Sequence, residues 1–214
     1  MSELPILYSF RRCPYAMRAR MALRYAGINC ELREVVLRDK PQSMLEYSPK
    51  GEVPVLVVGD EVIDESVDVM HWALNQSDPE GWLAPSGTQA LVMRFDEEFK
   101  PILDRYKYAD RYPERSQLEY REEASPYLNE LDVRLQNSKF LMSSELSFAD
   151  VALFPFIRQF AHVDKAWFDA STYTALVRWL KTLLESPLFL SVMKKYPQWQ
   201  AGDEVTYFIE KESS

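Results

Sequence analysis

Ile6-Leu7-Tyr8-Ser9-Phe10-Arg11-Arg12-Cys13-Pro14-Tyr15-Ala16 is an apolar run, a basic turn and the opening of a helix. Ile6 to Phe10 reads as a short strand. Pro14 suits the first helical position, where its missing N–H removes a donor that has no intrahelical partner. Cys13 is then the N-cap, beside the free backbone N–H groups and the positive end of the helix dipole. Arg11 and Arg12 add positive charge. Each effect favours the thiolate over the thiol, and a thiol so placed is a nucleophile near neutral pH. A free cysteine is more often buried and inert, and that is the reading for Cys30.

Outward from this stretch, strand and helix signals alternate. Pro14 to Tyr25 is rich in Met, Ala, Leu and Arg, with Gly27 as the stop beyond it. Cys30 to Val36 predicts a second strand and Pro41 to Tyr47 a short helix. Ser48-Pro49-Lys50-Gly51 reads as a loop. Val53 to Val58 is a buried-strand signal, Gly59-Asp60 a turn, and Glu61-Val62-Ile63 the return strand of a hairpin. Glu65-Ser66 opens a helix towards Asn75. This order predicts a parallel pair joined by a right-handed crossover, followed by an antiparallel hairpin.

Gln76 to Gly87, with Pro79, Gly81, Pro85 and Gly87, reads as a linker. Beyond it the period becomes helical, with Leu91, Phe95, Phe99, Ile102 and Tyr106 spaced by three or four residues. The pattern continues over residues 116 to 137. Ser147-Phe148-Ala149-Asp150 is a helix start in which Ser147 caps and Asp150 sits at the third position, with Leu146 and Val151 at the staple positions. Thr172 to Glu185 and Pro187 to Lys195 predict two further helices.

Bulk properties bound the function. The chain has 214 residues, 47% of them hydrophobic, and only 6 glycines, so it can bury a sizeable core in one domain or two. A net charge of -8 argues against nucleic acid as a partner, which needs a basic footprint. Two cysteines make no disulfide framework and fit a reducing compartment. No signal-peptide pattern and no bilayer-length apolar run is present, so a cytoplasmic protein with no membrane partner is expected. With His71 and His162 as its only histidines and no clustered cysteines, no metal site is expected.

Two further motifs bear on chemistry. Val53-Pro54 precedes a strand, where an X-Pro bond adopts either isomer. Trans is the ordinary form, whereas cis would turn the Val53 backbone towards Cys13, ready to pair with an extended peptide. In Asp64-Glu65-Ser66, the serine and the first helical N–H groups can hold a carboxylate and Glu65 an ammonium group. Asp64 and Ser66 can equally serve as plain helix caps.

Taken jointly, the first strand, Cys13-Pro14-Tyr15-Ala16, Val53-Pro54 and Glu65-Ser66 resemble the thioredoxin-like domain of cytosolic glutathione S-transferases. The linker and helical second half are similar to the rest of that family, and Ser147-Phe148-Ala149-Asp150 matches its helix-capping motif. Cysteine in place of the Tyr or Ser of other classes makes the likeness closest to the omega class and its bacterial relatives. The resemblance implies an α/β thioredoxin-like domain over 1–76, a linker over 77–87 and an all-helical domain over 88–214. It implies that Cys13 forms a mixed disulfide with glutathione and that Tyr15 lines the thiol pocket. Leu37 and Lys40 would contact the glycine end, Val53 would pair with the cysteinyl backbone beside cis-Pro54, and Glu65 and Ser66 would hold the γ-glutamyl head. A homodimer is implied as well.

A cysteine changes the expected reaction. A protein thiolate is a good nucleophile towards disulfides and glutathionyl groups. Ala16 stands where a Cys-x-x-Cys pair would place its second thiol, so the cycle must be monothiol, with a second glutathione resolving the mixed disulfide. A glutathione-dependent thiol transferase or reductase is therefore expected, acting on a disulfide or electrophile. The alternatives are a cysteine-containing, beta-type transferase that binds glutathione or conjugates it to electrophiles, and a non-enzymatic transcription-associated relative; conjugation without Cys13 would need Tyr8 or Ser9 to supply the hydroxyl. Phe95, Tyr106, Tyr108 and Tyr112 are candidates for an acceptor pocket, and Trp199, Tyr207 and Phe208 for closing it.

Overall fold

The computed structural model describes residues 4–209, so the outermost residues of the two expected domains lie outside the described residues. The chain forms two compact units: one runs up to Glu80 and resumes at Pro187, and the other spans Gly81–Ser186.

The first unit is built on a four-stranded sheet of order β2-β1-β3-β4. Strand β1 (Ile6–Ser9) leads into helix α1 (Pro14–Tyr25), which crosses to β2 (Glu31–Glu34) in parallel with β1, Ile6 opposite Glu31. A short helix α2 (Gln42–Tyr47) precedes β3 (Val55–Val58), and β4 (Glu61–Ile63) closes the hairpin before helix α3 (Ser66–Gln76). Strand β3 runs antiparallel to both β1 and β4. The parallel pair and hairpin are as the alternation of apolar runs predicts. Gly27, at φ +70°, holds the left-handed stop after α1 that a side chain would resist.

Helical elements make up the second unit: α4 (Thr88–Arg94), a π-helical stretch Phe95–Phe99, α5 (Lys100–Lys107), α6 (Gln117–Asn137), α7 (Phe148–Ala161), α8 (Lys165–Asp169) and α9 (Thr174–Leu184). The π stretch leads directly into Pro101, whose missing N–H leaves the α-helical ladder without a donor at that point. Ser116 caps α6 through Glu119 in a capping box. At the start of α7, the Asp150 carboxylate is buried and accepts from four donors. Ser147 N–H (3.0 Å) and Ser147 Oγ (2.6 Å) reach Oδ2, while Leu141 N–H (2.9 Å) and Trp179 Nε1 (2.8 Å) reach Oδ1. Asp150 thus ties the α7 cap to the preceding loop and to α9. Burial holds its pKa above the usual carboxylate range, against the lowering pull of these donors.

Two expectations change here. Phe95 and Tyr106 are fully buried core residues of this unit, Tyr106 packing on Phe160 with ring centroids 4.8 Å apart, so neither is an acceptor-pocket aromatic. From Pro187 onward the chain does not belong with the helical unit. After a short helix α10 (Pro187–Ser191) it lies along the outer edge of β2. Leu32 N–H donates to Thr206 O (2.7 Å), Phe208 N–H to Cys30 O (2.9 Å) and Trp199 N–H to Glu34 O (2.9 Å). The tail thereby covers an edge that would otherwise expose unpaired backbone groups. Tyr207 and Phe208 accordingly cover the sheet edge.

Asp150→Ala strands four donors in a buried setting and is expected to destabilise the fold by about 3 kcal/mol or more. Urea denaturation followed by circular dichroism checks this.

Candidate active site

Cys13 is the N-cap of α1, in extended conformation at φ -72°, ψ 124°, with Pro14 directly after it, as the local sequence predicts. Cys13 is half-buried against a core cluster that includes Tyr8, Ala16, Val53 and Val55. Its Sγ lies 3.6 Å from the carbonyl oxygen of Val53. The Val53–Pro54 bond is cis, as the resemblance implies and against the ordinary trans form. Val53 therefore presents its backbone to the thiol, with the carbonyl itself in contact with Sγ.

Two adjoining clefts meet at this point, sharing Tyr15, Glu52 and Val53. One, of about 280 Å³, is lined also by Cys13, Leu37, Lys40 and Gly51. The other, of about 210 Å³, is lined also by Pro54, Asp64, Glu65 and Ser66. The eight residues singled out in the sequence thus face one groove, with the thiol in the first cleft and the Glu65-Ser66 pair in the second. Gly51 keeps the first cleft open. At φ +63° it has the backbone form a side chain resists, and a Cβ there would come within 3.2 Å of Lys40 Nζ.

Ser66 begins α3, with Glu65 as its N-cap. The Ser66 hydroxyl accepts from buried Arg18 Nε at 3.0 Å, which turns one of its two lone pairs inward and leaves its proton to donate. Glu65 is exposed at the rim, and its Oε1 accepts from Lys50 Nζ at 2.7 Å. Asp64 accepts from Ser48 Oγ (2.8 Å) and Lys50 Nζ (3.1 Å), and these donors hold its carboxyl below the usual range. Arg18 and Lys50 were missed in the sequence. Nothing local distinguishes a helical arginine or a loop lysine from a solvated one, and their partners lie 48 and 15 residues away.

The turn that carries Cys13 is held from below. Arg20, buried within α1, donates through NH1 to Ser9 Oγ (2.6 Å) and through NH2 to Arg11 O (2.7 Å). Arg11 N–H in turn reaches Glu34 Oε1 at 2.7 Å. Burial pulls the Arg20 pKa down to about 10 against the opposing charge of Glu34, and burial raises the Glu34 carboxyl. Each charge favours the ionised form of the other, Glu34 raising the Arg20 pKa and Arg20 lowering that of Glu34. Cys30 is buried at the other end of β2's entry, its thiol pushed up by burial, which suits a structural residue.

Residues 7–81 match the N-terminal domain of the glutathione S-transferases, and residues 85–187 match their C-terminal domain. The chain belongs to the glutathione S-transferase family. Like other members of that family it is an enzyme. It is similar to glutathione S-transferase U19 of Arabidopsis thaliana, 26% identical with 98% of this chain and 95% of that protein covered. It is also similar to glutathione S-transferase omega-1 of Rattus norvegicus, 25% identical with 85% and 77% covered. Among solved structures, glutathione transferase Omega 3C of Trametes versicolor superposes with a TM-score of 0.75 at 20% identity, covering 92% of each chain. That likeness bears on the fold of this transferase. Among the described residues no helix is long and apolar enough to cross a membrane, and no cluster of three or more metal-ligating side chains occurs.

In this transferase Arg20→Met leaves Glu34 and the Arg11 carbonyl without their buried cation and is expected to lower stability by about 3 kcal/mol. Combining it with Glu34→Gln should recover part of the loss, a coupling measured by a urea double-mutant cycle.

Proposed function

We propose that the protein is a monothiol glutathione-dependent thiol transferase in which Cys13 carries the glutathionyl group. Glutathione would lie extended along the two clefts. Its γ-glutamyl head would rest on Glu65 and Ser66, its cysteinyl backbone on Val53 beside cis-Pro54, and its glycine end near Lys40 and Leu37, with Tyr15 beside the thiols. The Cys13 thiolate attacks the glutathionyl sulfur of a mixed disulfide, forming a Cys13–glutathione disulfide and expelling the substrate thiolate. The thiolate of a second glutathione then attacks that disulfide, releasing oxidised glutathione and regenerating the Cys13 thiolate. The substrate sulfur is reduced to a thiol, the transferred glutathionyl sulfur stays at the disulfide level, and the one free glutathione thiol consumed is oxidised.

The observation that carries this reading is the isolation of Cys13. The cysteine opens α1 at the mouth of the groove, while Ala16, one turn on, is buried and Cys30 is fully enclosed. No second thiol is positioned to resolve the intermediate, so the resolving thiol must be a co-substrate. Conjugation through a hydroxyl at β1 is disfavoured. Tyr8 OH is buried between Arg33 NH1 (2.6 Å) and Ser43 Oγ (2.9 Å), and buried Ser9 Oγ is held by Arg20. Homodimeric assembly and a cytoplasmic location are part of the same proposal, carried by the family.

Exposure to oxidised glutathione is expected to add one glutathionyl group, on Cys13, removable by reduced glutathione and seen by intact mass. Cys13→Ser should lower glutathione-dependent disulfide reduction by roughly a hundredfold or more. An adduct confined to Cys30, or strong conjugation of aryl halides by Cys13→Ala, would overturn the proposal.

A further inference from the structure

The second cleft contains more negative charge than its ligand's single ammonium group requires. Glu52, Asp64 and Glu65 all line it, and no lysine or arginine does. The cation that meets these carboxylates is Lys50, from the loop ahead of β3, whose ammonium bridges Glu65 Oε1 (2.7 Å) and Asp64 Oδ1 (3.1 Å). These carboxylates raise the Lys50 pKa, so it is fully charged wherever the site operates.

We infer that Lys50 is an internal occupant of the ammonium subsite, displaced by the ligand's α-amino group and so a specificity-determining residue. This rests on the glutathione reading above. Lys50 and the γ-glutamyl head offer the same chemistry, a primary ammonium with three donors, to the same carboxylate. The lysine is easily displaced. Its side chain is half-exposed and Glu65 more so, and pairs of this kind are held by at most about a fivefold preference. Asp64 remains in place when Lys50 leaves, because its other oxygen is held by Ser48. A ligand with an ammonium exchanges one cation for another, so Glu65 keeps a cationic partner throughout. A ligand whose amino group is acylated leaves Lys50 where it is and gains nothing at Glu65.

S-Methylglutathione, which has no free thiol to exchange with Cys13, is the probe, with its N-acetyl derivative as the comparison. Calorimetric titration of the full-length protein is expected to show Lys50→Met and Lys50→Gln binding S-methylglutathione about two- to fivefold more tightly. Their affinity for the N-acetyl derivative should be unchanged. Salt should weaken S-methylglutathione binding more steeply in the variants, since only there does a bare carboxylate meet the ligand. Unchanged or weaker binding by both variants would overturn the exchange and make Lys50 a residue that positions Glu65. No binding of S-methylglutathione by the unsubstituted protein would instead overturn the glutathione reading, and the inference with it.

Discussion

The buried guanidinium of Arg20 is the constraint on which the Cys13 turn depends. It lies within α1 yet bonds the end of β1 at Ser9 and the turn at Arg11, while Arg11 reaches back to Glu34 at the end of β2. Three elements are thereby fixed to one another at the point where the chain leaves the sheet. A turn of this kind, rich in backbone groups with no ladder partner, would otherwise be free to move. Burying a charge carries a desolvation cost, and the arrangement persists because Glu34 and two oxygen acceptors stand close enough to offset it. What the fold gains is a thiol held at a fixed height above the sheet.

From that fixed point the groove follows by covalent geometry. Val53 arrives beside Cys13 because β3 pairs antiparallel with β1, setting Tyr8 opposite Val55. Asp64 and Glu65 arrive at the far end because the β3–β4 hairpin returns the chain to the start of α3. The first cleft is thiol and lysine, the second carboxylate and hydroxyl. A tripeptide with an anionic end, a central thiol and a zwitterionic head complements that sequence of groups. The chemical argument is therefore one of polarity along a line, with Cys13 at its middle.

Stability of the helical unit depends on a buried carboxyl group. Asp150 collects donors from its own cap, from the preceding loop and from Trp179. In both units an ionisable side chain is sequestered and surrounded by groups that can use it. Neither is positioned to take part in catalysis; each holds a helix start where packing alone would allow it to slide.

The amino-acid sequence by itself determined the element order of the thioredoxin-like sheet and its helices, the Cys13 cap, the Ser147–Asp150 cap and the residue types of the groove, because these depend on period, on turn residues and on neighbours a few positions apart. It did not determine which charges are buried. Arg18 and Arg20 enter the sequence reading only as helix formers, and only the tertiary structure supplies the partners that let them be enclosed. It did not place the tail after Pro187 either, since pairing with the edge of β2 depends on backbone groups that carry no residue signature. Phe95 and Tyr106 show the same limit from the other side: helical spacing marks an aromatic face, and only packing decides whether that face meets core or cleft. The isomer of Val53–Pro54 and the occupation of Glu65 by Lys50 were likewise decided in three dimensions, because each depends on what the folded chain brings alongside.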